Sequence, residues 1–397
     1  RAVLSFFMLD FSSIKSQINK MIEERKGVDE GFLEKVNLAY GELKLRSKNW
    51  EDLSRKVALS RTPWLLAGVL EAPHVTHPLP PRPSGYTVFA SDGSQIFPDR
   101  HEALPCYLIN IGSVVLSYGS DGGAKLFSYP RFFYRDEDRF TVWDGRRVPT
   151  DTVLVSEKRT LMEFEEVLRL AEERKKEGDT VALSDGTLIL WRLEGTPEDF
   201  RKGIIDPFIG VMDRLRSLRI PIVGYISFPG STDVINTLRL GLCPEEISYC
   251  DRCPYKHLPE LPCAPIDGVT DRVLFSRVLK PGERTSIFQS SSRILELYGD
   301  HGICFFYLNI GEEIARVEIP KWVAEDSELL GLVQAVVFDQ AKKGGGYPVA
   351  LIEAHEQAVI KAKDRDFFFE LIREALVMSD FKVTVSRKGL SKRSPGV

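Results

Sequence analysis

The sequence lacks a strong excess of charge of either sign. Its 397 residues carry 53 lysines and arginines against 57 aspartates and glutamates, a formal net charge of -4. This balance gives no bulk attraction to nucleic acid, so any such binding must come from a local basic groove. Cysteine is also scarce, with six residues in the whole chain. Secreted disulfide scaffolds are far denser in cysteine, and we exclude that class.

Long hydrophobic runs are missing as well. The opening RAVLSFFML is too short to span a membrane and lacks the small-residue cleavage site of a signal peptide. We interpret its first residues as lying upstream of a start at Met8 and expect a cytoplasmic protein without membrane association. The sequence also contains no GxxxxGK[ST] phosphate-binding loop, so ATP-driven movement would have to come from a partner.

What remains is the composition of an ordinary globular protein, with 43% hydrophobic and 28% charged residues. Helix-forming residues at helical spacing, broken at Gly27, predict an N-terminal helical hairpin. We expect five blocks: an N-terminal helical region (1–72), a proline-rich linker (73–85), an α/β domain (86–385), a cysteine-containing insertion within it (241–268) and a disordered basic tail (386–397). The expected strands of the domain begin at Tyr86 and continue at 104–116, 124–129, 180–191 and 220–227, and its expected helices are 157–176, 202–218 and 231–240.

Two apolar runs, far apart in the chain, each deliver the dipeptide Asp-Gly. YTVFASDGSQIF carries Asp92, and TVALSDGTLILW carries Asp185. Each run predicts a strand that stops at its aspartate, although Asp-Gly-Ser alone is equally typical of a turn. If the two strands are neighbours, Asp92 and Asp185 supply paired oxygen ligands for a divalent cation such as Mg²⁺ or Mn²⁺.

The helix predicted between these strands carries a third candidate ligand. Its apolar face contains Leu161, Phe164 and Val167, and a helical wheel places Glu163 at the edge of that face and Glu166 on the polar side. A glutamate facing the sheet is costly unless a cation or a hydrogen bond compensates. Glu163 is therefore our choice and Glu166 the reserve, while an exposed, snorkelling Glu163 is the simpler structural alternative.

At this point the sequence resembles the NurA nucleases, in particular bacterial-type members. The resemblance covers most of the chain between Asp92 and Phe369. It depends on five motifs in this order: VFASDGSQ, ALSDGTLILW, DRVLFSRVLKPGERTSIFQSS, FYLNIGEEIARVEIPKWV and, most specifically, GGYPVALIEAHEQAVI.

The resemblance implies a fold, an activity and partners. It implies an RNase H-like mixed sheet flanked by helices and a manganese-dependent nuclease that degrades single- and double-stranded DNA in the 5′ to 3′ sense. The expected role is DNA end resection and repair with a HerA-like hexameric translocase, and the expected assembly is a homodimer. It also implies that Asp92 and Asp185 bind the metal and that Tyr347 and His355 belong to the active site.

The chemistry expected of these residues is metal-assisted phosphodiester hydrolysis. Two ions of Mn²⁺ or Mg²⁺ held by shared carboxylates activate water and stabilise the leaving oxygen. His355, in an apolar helical stretch, is suited to ligate metal or to move a proton near neutral pH. Without the resemblance, His355 reads as an ordinary helix residue and Tyr347, after three glycines, as a loop tyrosine.

The candidate DNA contacts are basic residues near a glycine turn. KPGERTSIFQSSSR combines Lys280, Arg284 and Arg293 with hydroxyl groups, which suits phosphate contacts without base specificity. The same composition fits a solvated loop before a helix. Arg316 is a weaker candidate, because Glu313 or Glu318 is available as its partner.

The segment GLCPEEISYCDRCPYKHLPELPC contains four of the six cysteines: Cys243, Cys250, Cys253 and Cys263. This grouping predicts a small four-thiolate site for structural Zn²⁺ or, as an alternative, an iron-sulfur cluster, with His257 able to replace one ligand. Free thiols in a loop are the competing interpretation. Cys106 and Cys304 lie in apolar runs and are expected in the core.

Two further functional hypotheses stand beside the nuclease. A catalytically silent adaptor that binds DNA or the translocase predicts the loss of an acidic ligand, but Asp92, Asp185 and His355 are all present. A metal-dependent phosphatase on the same carboxylates is distinguished by its cleavage of small phosphate esters.

Overall fold

The computed structural model describes residues 10–25, 29–99, 102, 104, 106–120, 122–173 and 178–379. The N-terminal apolar run, the predicted break at Gly27 and the predicted basic tail at 386–397 lie outside these residues. Within them, no helix is long and apolar enough to cross a membrane.

The helices and strands are as follows. The α-helices are α1 (Phe11–Arg25), α2 (Asp29–Lys48), α3 (Trp50–Leu59), α4 (Asp136–Arg139), α5 (Thr152–Glu173), α6 (Glu198–Ser217), α7 (Asp233–Leu242), α8 (Asp271–Phe275), α9 (Lys321–Ala324), α10 (Ser327–Lys343), α11 (Val349–Ala358) and α12 (Ala362–Met378). The strands are β1 (Ala67–Val69), β2 (Thr76–His77), β3 (Tyr86–Ile96), β4 (Tyr107–Tyr118), β5 (Gly123–Phe133), β6 (Phe140–Trp143), β7 (Arg146–Pro149), β8 (Asp179–Asp185), β9 (Ile222–Ile226), β10 (Arg284–Thr285), β11 (Phe288–Ser290), β12 (Ile303–Asn309) and β13 (Ile314–Pro320). Short 3₁₀ helices occupy Trp191–Leu193, Cys250–Arg252 and Arg293–Leu297.

The chain forms two compact units. Unit 1 contains Arg1–Val75 and Gly230–Val278, and unit 2 contains Thr76–Pro229 and Leu279–Val397. In unit 1, helix α7 packs against α2 and α3. Asp271 fixes the start of α7, because its carboxylate accepts hydrogen bonds from the backbone N–H groups of Val234 and Ile235 at 3.0 and 2.8 Å. The predicted N-terminal helices are present as α1, α2 and α3, so the second half of the expected hairpin is itself divided at Asn49.

Unit 2 is built on one large mixed sheet with the strand order β11-β12-β13-β9-β8-β3-β4-β5. Strands β3, β4 and β5 form an antiparallel meander, whereas β8 lies parallel to both β3 and β9. Strands β13, β12 and β11 continue the sheet in antiparallel pairing, and β10 joins β12 to β2. The predicted α/β class with a mixed, helix-flanked sheet is confirmed.

Side chains of the central strands alternate between two cores, as the two-residue period of a strand requires. Val88 and Ala90 of β3 and Leu183 of β8 pack with residues of α10 and α11. Phe89 and Ala182 face the opposite way and pack with α5 and α6. Asp92 lies two residues after Ala90, and Asp185 lies two residues after Leu183. Both therefore point to the side of α10 and α11.

Two strand predictions need correction. Strand β3 does not stop at Asp92, because Gly93, Ser94 and the residues to Ile96 remain paired with β4. Strand β8 ends at Asp185, well before the predicted end at residue 191, and Gly186 turns the chain with a φ of 100° that favours glycine. The turn therefore follows the second aspartate only.

Candidate active site

Asp92 and Asp185 are brought together by the register of the parallel strands β3 and β8. The ladder between these strands ends at the pair Ser91 and Ser184. The next residue in each strand is an aspartate, so both carboxylates leave the sheet at the same level and on the same side. The predicted neighbour relationship of the two strands is thus confirmed.

His355 of helix α11 lies directly against the first aspartate. Its Nδ1 is 2.7 Å from Asp92 Oδ2, and 62% of the imidazole is exposed against 19% of the Asp92 side chain. The end of α11 is fixed on the sheet because the carbonyl of Ala358 accepts a hydrogen bond from the Asn110 amide at 2.9 Å and another from Ser94 Oγ. These contacts orient one oxygen of Asp92 and leave the outer face of His355 in solvent.

Tyr347 makes the equivalent contact with the second aspartate. Its hydroxyl donates to Asp185 Oδ1 at 2.6 Å, and its ring packs edge to face on Tyr225 with the centroids 5.3 Å apart. The preceding turn requires glycine at Gly345 and Gly346, whose φ angles are 69° and 113°. The flexible segment before Tyr347 is therefore a defined turn that delivers the hydroxyl to the carboxylate.

The groups around Asp185 have opposing effects on its pKa. Partial removal from water raises the pKa of Asp185 above its ordinary value, and the charge of Asp92 adds to this increase. The hydrogen bond from Tyr347 and the charge of His355 act in the opposite direction. Removal from water and the contact with Asp185 in turn raise the pKa of Tyr347, so this hydroxyl keeps its proton and acts as a donor.

Glu163 reaches the site from the opposite face of the sheet. A side chain at Gly93 would collide with it, since a Cβ there would lie 2.7 Å from both Glu163 Oε1 and Arg159 Cγ. The glycine of the first Asp-Gly pair therefore opens the space that this carboxylate fills. Arg159 Nε lies 3.0 Å from Glu163 Oε1, and Ser91 Oγ donates to the Glu163 carbonyl at 2.7 Å.

Burial controls the protonation of Glu163. Loss of water raises the pKa of Glu163 to about 8, with further increases from the charges of Asp92 and Asp185 and decreases from Arg159 and Arg192. All three carboxylates therefore lie within electrostatic reach of one another. Glu163 Oε1 is buried and accepts no hydrogen bond from the described residues.

Glu166, the reserve ligand, lies elsewhere. The helical wheel placed it on the polar side, but it is only 9% exposed. Its carboxylate accepts hydrogen bonds from Ser113 Oγ at 2.6 Å and from Arg169 at 2.7 and 2.8 Å. These donors compensate for burial, and Ser113 belongs to strand β4, which no helical wheel represents. The prediction of a solvent-facing Glu166 was wrong.

The residues fit a hard divalent cation by their donor chemistry. Carboxylate oxygens are the ligands that Mg²⁺ and Mn²⁺ prefer, and three acidic groups in mutual electrostatic reach favour a cation among them. Within the described part of the chain, however, no three His, Cys, Asp or Glu side chains are already drawn together as a metal site. Each carboxylate instead lies against its own partner: Asp92 with His355, Asp185 with Tyr347 and Glu163 with Arg159.

Two arginines near the site were missed from the sequence. Arg159 bridges Glu163 and Gln95, whose Oε1 lies 3.0 Å from its guanidinium. Arg192 is half-exposed and lies 3.1 Å from the buried Glu157, and its charge also acts on Glu163. The available signals were the i, i+4 spacing of Arg159 and Glu163 and the position of Arg192 directly after the motif ALSDGTLILW.

The four candidate DNA contacts divide into two groups. Lys280 and Arg293 are exposed. Arg284 and Arg316 are only 7% and 5% exposed. Arg316 pairs with the buried Glu318 at 3.0 Å and stacks 3.7 Å above the ring of Phe305. Of the two possible partners, the structure therefore selects Glu318, and the burial of both arginines argues against direct contact with a phosphate backbone.

Comparison with known proteins identifies the family and the fold. The NurA domain model matches residues 86–360, which is more than half of the chain. The crystal structure of the NurA nuclease from Sulfolobus solfataricus is similar with a TM-score of 0.50 at 14% identity, over 91% of this chain and 98% of that chain. A crystal structure of NurA with manganese is similar with a TM-score of 0.34 at 14% identity, over 75% of this chain and 90% of that chain. No curated protein sequence matches the chain.

Proposed function

The chain belongs to the NurA family, and on this premise we propose that it is a metal-dependent deoxyribonuclease whose active centre is formed by Asp92, Asp185, Glu163, His355 and Tyr347. The family match covers the strands and helices that carry all five residues. The similarity to the structure of the Sulfolobus nuclease extends over 91% of this chain. We further assign the sheet to the RNase H-like class, which the antiparallel meander β3-β4-β5 followed by parallel β8 and β9 supports.

One observation carries this proposal. The aspartates that leave β3 and β8 at the same level are each held by a residue of the most specific family motif, His355 and Tyr347. A structural role alone does not require two neighbouring carboxylates to be oriented by a histidine and a tyrosine. Acidic groups gathered with a titratable histidine are the arrangement expected of a hydrolytic site.

Each residue of the proposed active site would have its own role in the hydrolysis. A bound Mn²⁺ or Mg²⁺, with two ions expected, would supply a Lewis acid and lower the pKa of water. Asp92, Asp185 and Glu163 would hold the cation, and the Tyr347 hydroxyl would keep the Asp185 carboxylate in position through its hydrogen bond to Oδ1. His355, largely exposed beside Asp92, is placed to accept or return a proton at its free nitrogen during phosphodiester hydrolysis.

The proposal also includes contacts with DNA and with protein partners. Lys280 and Arg293 are exposed cations that suit phosphate contact, and Arg192 adds positive charge beside the acidic site. Action in DNA end resection and repair with a HerA-like hexameric translocase, 5′ to 3′ polarity, endonuclease action on single strands, homodimer formation and a cytoplasmic location follow from the family resemblance. They need separate tests with the partner and with defined DNA ends.

The first test is cleavage of end-labelled single- and double-stranded DNA with Mn²⁺, with Mg²⁺ and with a chelator. We expect metal-dependent loss of DNA that disappears in Asp92→Ala and in Glu163→Gln. Asp179→Asn is the matched control, because Asp179 is exposed at the opposite end of the strand that carries Asp185. Glu166→Gln should keep the activity, since its carboxylate serves Ser113 and Arg169.

The outcome separates the three functions. Intact DNA with folded wild-type protein and Mn²⁺ would exclude autonomous nuclease activity, and binding to DNA or to the translocase would then support the adaptor. Cleavage of a small phosphate ester without cleavage of DNA would support the phosphatase. Equal activity in Asp92→Ala and in wild type would remove the proposed centre.

A further inference from the structure

A second group of chemically active side chains lies in unit 1, apart from the carboxylates. Cys243, Cys250, Cys253 and Cys263 line one small cavity together with Tyr255. All four are partly buried free thiols without a disulfide. Cys243 follows the end of α7, Cys250 is the first residue of the short 3₁₀ helix, and Cys253 directly follows that helix. The segment thus brings all four cysteines to the same cavity.

The four thiols have the type and the number of ligands that a structural zinc site needs, since such sites are closed by four cysteine or histidine side chains. Four thiolates could coexist in one partly buried cavity only with a compensating cation.

Two basic side chains surround the group. Lys56 Nζ donates to the Cys243 carbonyl at 2.6 Å, and Arg239 Nε donates to the Cys263 carbonyl at 3.0 Å. Arg239 is held in place by Trp64, 4.1 Å below its guanidinium, and by Asp267 at 2.9 Å. Positive groups of this kind stabilise thiolates and the net negative charge of a metal–thiolate centre.

The segment that carries the cysteines has little regular secondary structure. Between the end of α7 and the start of α8, the described residues form one regular element, the short 3₁₀ helix. Most side chains from Asp251 to Glu260 are exposed, including His257. A loop of this length with so little secondary structure is uncommon inside a compact unit unless it has a function or is stabilised by a bound group. Small segments with a poor core frequently depend on a bound metal.

We propose that Cys243, Cys250, Cys253 and Cys263 form a structural zinc site that fixes this segment against α3 and α7. On binding, the four thiols release four protons and form four sulfur–zinc bonds, which gives a centre of charge -2 beside Lys56 and Arg239. The described residues contain no group of three His, Cys, Asp or Glu side chains already assembled around a point, so the loop must close on the ion. The site is independent of the carboxylate centre and of its reaction.

The test is the metal content of the full-length protein, purified without chelator from cells grown with zinc. We expect about one zinc ion per chain, released when an organomercurial blocks the thiols. Cys253→Ser and Cys250→Ser should lose most of the zinc, whereas Cys106→Ala, which removes a buried thiol of unit 2, should retain it. Removal of zinc from the wild-type protein should lower its melting temperature, and added Zn²⁺ should restore it.

Three results would overturn the proposal. The first is folded wild-type protein that contains no zinc and whose four thiols react freely with a disulfide reagent. The second is iron with acid-labile sulfide in place of zinc, which would assign an iron-sulfur cluster. The third is unchanged zinc content in both serine variants. Since none of these measurements uses DNA cleavage, failure of the nuclease proposal would leave the test intact.

Discussion

Gly112 of β4 lies directly opposite Asp92 of β3, and its lack of a side chain lets the backbone of helix α11 approach the sheet. A Cβ at this position would lie 2.3 Å from the Ala358 nitrogen and 2.4 Å from the Ala354 oxygen. Because the colliding atoms are backbone, they cannot rotate away. The position of His355 on Asp92 therefore depends on a glycine in a different strand.

Substitution of this glycine should displace α11. We expect Gly112→Ala to cost about 1–3 kcal/mol of stability, as overpacking typically does, and to reduce DNA cleavage further than the loss of folded protein explains. Thermal unfolding and cleavage rates measured on the same samples check this. Gly123→Ala is the matched control, because nothing lies within 4 Å of a Cβ at that position. Full activity in Gly112→Ala would show that the approach of α11 is unnecessary.

Tyr347→Phe should weaken the site without unfolding it. The ring stays packed on Tyr225, but Asp185 loses the hydrogen bond that lowers its pKa. Loss of a residue that orients a ligand typically costs about 10- to 100-fold in metal affinity or activity. We also expect the acidic limb of the activity profile to move to higher pH, because the pKa of Asp185 rises. An unchanged profile and unchanged Mn²⁺ dependence would contradict the assigned role of Tyr347.

Glu163 should make stability depend on pH when divalent ions are absent. Its pKa is about 8 in the folded protein against an ordinary value of 4.5, so the folded protein holds this proton more tightly than the unfolded chain. The resulting stabilisation is complete below pH 4.5 and is lost as the pH rises towards 8. Thermal unfolding across this range should therefore show a smaller decline in Glu163→Gln than in wild type. Glu165→Gln, on the exposed side of the same helix, should retain the wild-type decline.

Among the candidate DNA contacts, substitution of an exposed residue should have a different effect from substitution of a buried one. The double substitution Lys280→Ala with Arg293→Ala should weaken DNA binding for all sequences and reduce the salt dependence by a slope of about 1 for each phosphate that the variant no longer neutralises. Arg316→Met should instead destabilise the fold, because it leaves the buried Glu318 without its ion pair. Binding measured at several salt concentrations, beside thermal unfolding, distinguishes the two effects. Unchanged affinity in the double variant would exclude Lys280 and Arg293 as contacts.

The aspartate pair was accessible from the sequence because it depends on local pattern. Each Asp-Gly follows a buried apolar run, and a shared run length places both aspartates at the same level when the strands pair in parallel. The end of β3 was not accessible in the same way. Asp-Gly-Ser is typical of a turn, and only the antiparallel partner β4 keeps Gly93 and Ser94 in the sheet.

The predictions for other side chains were wrong for the same reason, because they depend on contacts that are distant in the sequence. A helical wheel compares one face of a helix with another, but it does not show that Ser113 on a distant strand compensates a buried Glu166. Arg284 and Arg316 read as surface cations because the sequence does not reveal what covers their side chains, for example that Arg316 is buried against Glu318 and Phe305. Burial of a charge is decided by long-range partners, and it is therefore visible only in the folded chain.

The contacts at the carboxylates span very large distances along the chain. Asp92 and His355 are 263 residues apart, and Asp185 and Tyr347 are 162 residues apart. Contacts of this range form slowly, because the loops between them must close first. We therefore expect the complete site to form late in folding. Recovery of activity during refolding should consequently follow the slowest phase, later than the recovery of helical signal, which makes catalysis a reporter of the finished sheet.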